Sequence, residues 1–229
     1  MGKIVILTGA GISAESGLGT FRDKDGLWAR HAIEDVATPE GYARNPALVH
    51  AFYNARRVQA AGAEPNAAHH ALAELERGYA GEVVLVTQNV DDLHHRAGSR
   101  KVLQMHGALR GALCHRCGHR WTAPPEMTPE TTCPACARPA ARPDVVWFGE
   151  YPYFLDEIAA HLAEATLFAA IGTSGQVYPA AAYVEEAREA GAETVEMSLE
   201  ATAVSHLFDR CVTGPATATV PSWVRSLLA

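Results

Sequence analysis

Short runs of β-branched and aliphatic residues recur along the chain, and each ends abruptly in small or polar residues. Residues 3–8 (KIVILT) run into Gly9-Ala10-Gly11, residues 82–87 (EVVLVT) into Gln88-Asn89-Val90-Asp91, and residues 101–105 (KVLQM) into His106-Gly107. Residues 144–147 (DVVW) lead into Phe148-Gly149-Glu150, residues 166–171 (TLFAAI) into Gly172-Thr173-Ser174, and residues 193–197 (ETVEM) into Ser198-Leu199-Glu200. Continuous apolar runs of this length suit strands buried on both faces, as in a parallel sheet. Helical patterns lie between them. Asn66 is a good N-cap for residues 67–77, which Gly78 ends, and residues 179–190 are ended by Gly191. The alternation predicts an α/β fold, a doubly wound, Rossmann-like parallel sheet whose ligands bind beyond the carboxyl ends of the strands.

Two stretches break the alternation inside what reads as a single domain over residues 1–229. Residues 20–62 form a long polar and helical excursion, in which residues 45–61 carry an amphipathic pattern through Leu48, Val49, Phe52 and Ala55. Residues 111–142 are rich in Cys, Pro, Arg and Thr and too poor in apolar runs to build a core without a staple. Together these insertions are expected to form a smaller lobe beside the sheet.

Composition narrows the function classes. Lys+Arg at 19 against Asp+Glu at 26 gives a formal net charge of −7, which disfavours nucleic acid as a main partner. No run approaches the roughly 20 apolar residues that span a bilayer. The start, Met1-Gly2-Lys3, enters the first strand without a cleavable apolar segment, and Ile6 stands where a myristoylation motif wants Ser or Thr. A cytoplasmic location with no membrane anchor is the expectation. Four of the five cysteines fall in two close pairs, Cys114/Cys117 and Cys133/Cys136, leaving Cys211 alone. That spacing is a four-thiolate ribbon for one zinc ion, and four protein ligands make the metal structural rather than hydrolytic. His115 and His119 are surplus to a filled site.

The glycine turn after the first strand resembles a dinucleotide fingerprint, where glycines admit a pyrophosphate close to the backbone. Ala14 stands where the third glycine belongs and the next is Gly17, while the usual acidic residue would fall at Glu34 or Asp35, inside the excursion. A standard dehydrogenase is disfavoured. The longer strings are more specific. Residues 9–17 (GAGISAESG), Thr20-Phe21-Arg22, Thr87-Gln88-Asn89-Val90-Asp91, His106-Gly107, the cysteine ribbon, Trp147-Phe148-Gly149-Glu150 and Gly172-Thr173-Ser174 together resemble the sirtuin family in order and spacing, over the whole chain.

The resemblance implies NAD-dependent removal of an acyl group from a lysine side chain, giving nicotinamide, O-acyl-ADP-ribose and free lysine. It assigns catalytic roles to His106, as a general base for a ribose hydroxyl, and to Asn89. The same likeness gives cofactor binding to Gly9, Ala10, Gly11, Ala14, Phe21, Arg22, Trp28, Gln88, Asn89, Val90, Asp91, Gly172, Thr173 and Ser174, and on the adenine side to Ser198, Leu199, Glu200 and Ala216. Ser198 stands where many relatives have Asn, and its shorter reach weakens that carry-over. Residues 146–149 (Val146, Trp147, Phe148, Gly149) resemble the strand that pairs with an extended substrate peptide. Glu150 suits a structural role as well as a functional one.

Tyr53 and Arg56 sit at i and i+3, so a phenol and a guanidinium share a helix face and can enter one pocket. Outside the family the pair would read as an interface aromatic and a solvated charge. Within it, the pair resembles the signature of members that remove succinyl and malonyl groups, with Arg57 the solvated neighbour. The expected partners are acylated-lysine proteins or peptides, with oligomeric state open and a monomer sufficient. Two alternatives stay open, an ADP-ribosyltransferase on the same fold and a non-catalytic NAD-sensing scaffold. His69, His70, His94 and His95 carry no assigned chemistry.

Overall fold

The structure is a computed structural model that describes residues 2–19 and 31–229. Strand β1 (Lys3–Thr8) lies at the centre of a six-stranded sheet, flanked by β2 (Glu82–Thr87) and β7 (Leu167–Ile171), with β3 (Val102–Gln104), β8 (Glu193–Ser198) and β9 (Arg210–Thr213) outside them. The order β3-β2-β1-β7-β8-β9 is parallel throughout. Successive side chains of β1 point to opposite faces. Ile4 and Ile6 enter a core built with α5 (Ala67–Gly78) and α9 (Ala216–Leu228). Val5 and Leu7 enter a second core with α7 (Leu155–Ala163) and α8 (Tyr183–Glu189). A strand covered on both sides has no polar face to offer, which is why its sequence reads as an unbroken apolar run.

Strand order reverses between β1 and β7, and doubly wound sheets open a ligand crevice at such a switch point. The expected strands at residues 3–8 and 82–87 are observed with the same bounds. Residues 144–147 are a correction. They do not enter the parallel sheet. Instead β6 (Ala141–Val145) pairs antiparallel with β4 (Gly107–Cys114), whose other neighbour is β5 (Arg120–Thr122). Pro143 explains the placement, since a residue without an N–H suits the edge of a small sheet and not the middle of a large one. The sixth parallel strand is β9, whose four residues are mostly exposed and carry no apolar run to announce them. The helix expected at residues 179–190 divides into a tight turn at Ala180–Ala182 followed by α8.

The smaller lobe contains α2 (Ile33–Val36), α3 (Pro39–Arg44), α4 (Pro46–Gly62) and β4–β6. Asn45 starts α4 by accepting a hydrogen bond from Leu48 N at 3.0 Å, and Pro46 fits the first turn because its missing N–H would have no helical partner there. The buried face of α4 (Val49, Phe52, Tyr53 and Ala60) packs against Val36, Leu109, Val145 and Trp147. Asn54 clamps the helix to the ribbon, donating to Met127 O at 2.9 Å and accepting from Met127 N at 3.0 Å. Two short helices, α1 (Ala10–Ala14) and α6 (Leu93–Ala97), follow β1 and β2. Among the described residues no helix is long and apolar enough to cross a membrane.

Candidate active site and metal centre

A cleft of about 1140 Å³ lies at the carboxyl ends of the parallel strands, between the sheet and the smaller lobe. The strand-end loops supply Gly9, Ala10 and Gly11, then Gln88, Asn89, Val90 and Asp91, then His106. Across the switch point come Gly172, Thr173 and Ser174, followed by Ser198, Leu199, Glu200 and Ala216. From the smaller lobe come Tyr53, Arg56, Val146, Trp147, Phe148 and Gly149. The structure therefore brings these expected site residues into one cavity. Ala14 is the exception, for it ends α1 without lining the cleft. Phe21, Arg22 and Trp28 lie outside the described residues, as does Thr20.

The glycines have a packing reason that the fingerprint alone does not reveal. A Cβ on Gly11 would stand 2.7 Å from Gly172 Cα, and one on Gly9 would stand 2.8 Å from Gly172 O. Gly172, at φ +60°, would bring its own Cβ to 2.5 Å of Ile12 N. The first turn thus rests directly on the loop after β7, tied by Gly11 N donating to Gly172 O at 2.9 Å. The close approach of the two turns therefore requires glycine at positions 9, 11 and 172 together.

Behind this turn runs a buried polar network. Asn89 donates from Nδ2 to Gly9 O at 3.0 Å and to Ser13 Oγ at 3.2 Å. Ser13 Oγ donates to Asp91 Oδ2 at 3.1 Å and lies 3.5 Å from His69 Nε2. Thr8 Oγ1 donates to Thr87 Oγ1 at 2.8 Å and meets His94 Nε2 at 3.0 Å, while the His69 and His94 rings are 4.8 Å apart. Burial holds both histidines neutral, lowering His69 to about 4 and His94 well below its ordinary range. Burial also raises the Asp91 carboxyl, against the pull of the Leu93 N–H and the Ser13 hydroxyl. No sequence motif announced Ser13, His69 or His94 as neighbours, because their partners are far away along the chain.

His106 Nδ1 sits 3.0 Å from Gln88 O. A carbonyl only accepts, so Nδ1 carries the proton and Nε2 keeps its lone pair. Burial lowers the His106 pKa, partly offset by that hydrogen bond. The ring is therefore neutral at pH 7 and able to take a proton. Gly107 follows at φ +79°, with Asp144 O only 2.2 Å from where a Cβ would be, so no side chain fits there.

Tyr53 is 1% exposed and its hydroxyl accepts from Trp147 Nε1 at 3.0 Å. Arg56 lies one turn on, with its guanidinium carbon 5.7 Å from the Tyr53 ring centre and 5.9 Å from that of Phe52. Burial lowers the Arg56 pKa, while Tyr53 and Asp91 favour its charge. Arg57 is a correction, because it is not solvated. Its Nε and Nη1 are buried without a hydrogen-bond partner among the described residues, Nη2 donates to Asn54, and burial lowers its pKa. Glu150 takes the structural side of the earlier ambiguity. It accepts from Arg142 at 2.6 and 2.9 Å and from Trp147 N at 2.9 Å.

The backbone after β6 is already largely engaged. Val146 N donates to His106 O, Phe148 N to Ala37 O, and Glu150 N to Trp147 O. Of the N–H groups from 146 to 150, only that of Gly149 has no acceptor among the described residues.

The four ribbon cysteines converge, with all sulfurs within 4.8 Å of one another and the pairs Cys114–Cys136 and Cys117–Cys133 each 3.7 Å apart. A zinc–thiolate bond of about 2.3 Å places tetrahedral sulfurs about 3.8 Å from each other, so the set fits zinc in size and in ligand softness. His119 stacks on Trp121 and His115 lies edge-on to Tyr42. Cys211 is exposed on β9.

A doubly wound sheet with a strand-end cleft and an inserted four-thiolate ribbon defines a zinc-stapled nucleotide-cleft protein. Residues 9–179 match the model of the Sir2 family, and the chain belongs to it. It is 58% identical to the NAD-dependent protein deacylase of Caulobacter vibrioides, covering 99% of this chain and 97% of that one. Identity to the NAD-dependent protein deacylase of Escherichia coli K12 is 52%, over 99% of this chain and 82% of that one. Among solved structures, a Sir2 homologue in complex with NAD superimposes with a TM-score of 0.91 at 39% identity, covering 98% of this chain and 89% of that one.

Proposed function

We propose that this chain is an NAD-dependent protein-lysine deacylase that removes succinyl and malonyl groups as well as acetyl, and that it works in the cytoplasm. The observation that carries the acyl class is the pair Tyr53 and Arg56, held on one face of α4 and lining the same cleft as Asn89 and His106. A guanidinium and a phenol offer a carboxylate several donors in fixed directions. An acetyl group ends in a methyl and offers those donors no acceptor.

The strand-end loops would hold NAD, which supplies an electrophilic ribose carbon with nicotinamide as its leaving group. This chain's own residues do the rest. His106 Nε2 takes the proton of a ribose hydroxyl. Asn89 keeps the glycine turn and the ribose edge in register, since its amide is already anchored on Gly9 and Ser13. Asp91 presents a carboxylate beside Arg56, and Val145 and Leu109 give the acyl channel apolar walls that exclude water. The zinc ion is structural, holding the ribbon from which β6 and Trp147 reach the cleft.

The test is mass spectrometry of matched acetyl-lysine and succinyl-lysine peptides, with and without NAD, for wild type and Arg56→Met. NAD-dependent loss of succinyl in preference to acetyl is expected. Arg56→Met should lower succinyl kcat/KM by roughly 10- to 100-fold, the worth of a charge-assisted contact. Acetyl loss alone would overturn the acidic-acyl reading, and ADP-ribose transfer to a protein without deacylation would overturn the reaction itself.

A further inference from the structure

We infer that Trp147 is a positioning residue for acyl specificity, its indole N–H setting the Tyr53 hydroxyl as a donor aimed at a carboxylate-tipped acyl chain. The inference rests on the acyl reading above and adds to it the group that makes Tyr53 selective. Trp147 Nε1 lies 3.0 Å from the Tyr53 hydroxyl, and the two residues are 2% and 1% exposed. An indole N–H can only donate, so the phenol oxygen must accept from it. Arg56, on the same helix face, is a second donor-only group, and the Tyr53 hydroxyl supports its charge through a side-chain hydrogen bond. With both neighbours donating, the phenol proton has one useful direction left, toward the cleft that all three residues line. An acyl chain ending in a carboxylate accepts it. One ending in a methyl leaves the O–H buried without an acceptor, and a site built to hydrogen-bond discriminates strongly against such a partner.

The indole is itself held on two sides. The Arg142 guanidinium lies 3.4 Å over its ring, and Arg142 forms a two-point contact with Glu150. Glu150 Oε2 also accepts from Trp147 N at 2.9 Å, so backbone and ring are fixed by the same ion pair. Trp147 leaves β6 through a loop, and without this clamp its ring would have no strand geometry to orient it. An aromatic that merely packs would affect every acyl chain alike. One that orients a hydroxyl acts on the succinyl chain selectively.

The experiment compares wild type, Trp147→Phe, Tyr53→Phe and the double variant. A fifth chain carries benzothienylalanine at position 147, which keeps the ring shape and removes only the N–H. The readout is the ratio of kcat/KM for succinyl-lysine over acetyl-lysine peptides, with KM and kcat separated. Trp147→Phe and the benzothienyl chain should lower the ratio about tenfold through succinyl KM, the effect of one hydrogen bond to a charged group. No further fall is expected where Tyr53 is already Phe. A wild-type ratio in the benzothienyl chain, or losses that multiply in the double variant, would overturn the inference and leave the acyl reading standing. A wild type that turns over acetyl and not succinyl would overturn that reading, and the inference with it.

Discussion

The parallel sheet buries Ile4 and Ile6 against α5 and α9, and Val5 and Leu7 against α7 and α8, whereas the ribbon has two clusters of three buried residues each, Ala112, Met127 and Ala141 in one and Cys114, Cys133 and Ala140 in the other. Each buried Ile or Leu in the sheet contributes about 1.5–3 kcal/mol, and many such residues act together. The ribbon has little of this kind to offset the entropy of ordering its loops. It depends on thiolate–metal bonds and on the clamp between Asn54 and Met127. The cleft is vulnerable on one side: its nucleotide wall belongs to a self-sufficient core, while its acyl wall joins the α4 cluster of Phe52, Tyr53, Val145 and Trp147 to a ribbon that metal keeps folded.

The largest effect should come from taking the metal away. Chelation, or Cys133→Ser, is expected to melt β4–β6, because structural zinc sites contribute on the order of 10 kcal/mol to folding. Hydrogen exchange should show loss of protection across β4 and β6 with β1, β2 and β7 still protected, and deacylation should fall more than about 100-fold as Val145 and Trp147 leave the cleft. Equal loss across both sheets would show that the lobes are not separable.

Acid should strain both lobes, the seam behind the nucleotide loop through His69 and the packing of α4 through the buried His50. His69 and His50 both have pKa values lowered by burial to about 4. Between the ordinary value near 6.5 and that lowered value, the unfolded chain binds a proton that the folded chain refuses, so stability falls as pH falls. At pH 5.5 the loss is about 1.2 kcal/mol per histidine relative to pH 7, readable in urea melts with metal kept in excess. A midpoint that does not move between those pH values would contradict the buried, neutral assignment.

The smallest effect sharpens the comparison from within the large lobe. Asn66 caps α5 by accepting from Ala68 N, and its amide also donates to Ile12 O and Ser16 Oγ of the first turn. Asn66→Ala should cost about 1–2 kcal/mol by calorimetry, the upper end of a cap because two further bonds go with it. Metal binding to the ribbon should not change.

What could be read from the chain alone follows from how local each cause is. Strands β1 and β2 were legible residue by residue because burial on both faces leaves an unbroken apolar signature. The ribbon was legible because metal geometry fixes the spacing of Cys114/Cys117 and Cys133/Cys136. The face shared by Tyr53 and Arg56 was legible from one helical turn. Other features depend on partners distant in sequence. Trp147 bonds a tyrosine 94 positions away, and Ser13 meets an aspartate 78 positions away. Arg57 reads as an exposed charge until α4 is laid against the ribbon, and residues 144–147 read as a strand of the parallel sheet, whereas Pro143 suits the edge of the small one.

The order of strands in the sheet carries a further consequence, for the making of the protein. β1 is synthesised first, yet one of its two neighbours, β7, begins only at Leu167. The cleft takes walls from Gly9 and from Ala216, so more than nine-tenths of the chain separates its first wall from its last. A nascent chain that has just released the ribbon already carries the glycine turn, the Asn89 loop, His106 and all four thiolates, and still has no pocket to put them in. The cleft can close only after Ala216 has been made, when β7, β8 and β9 dock against a β1 that has waited for them.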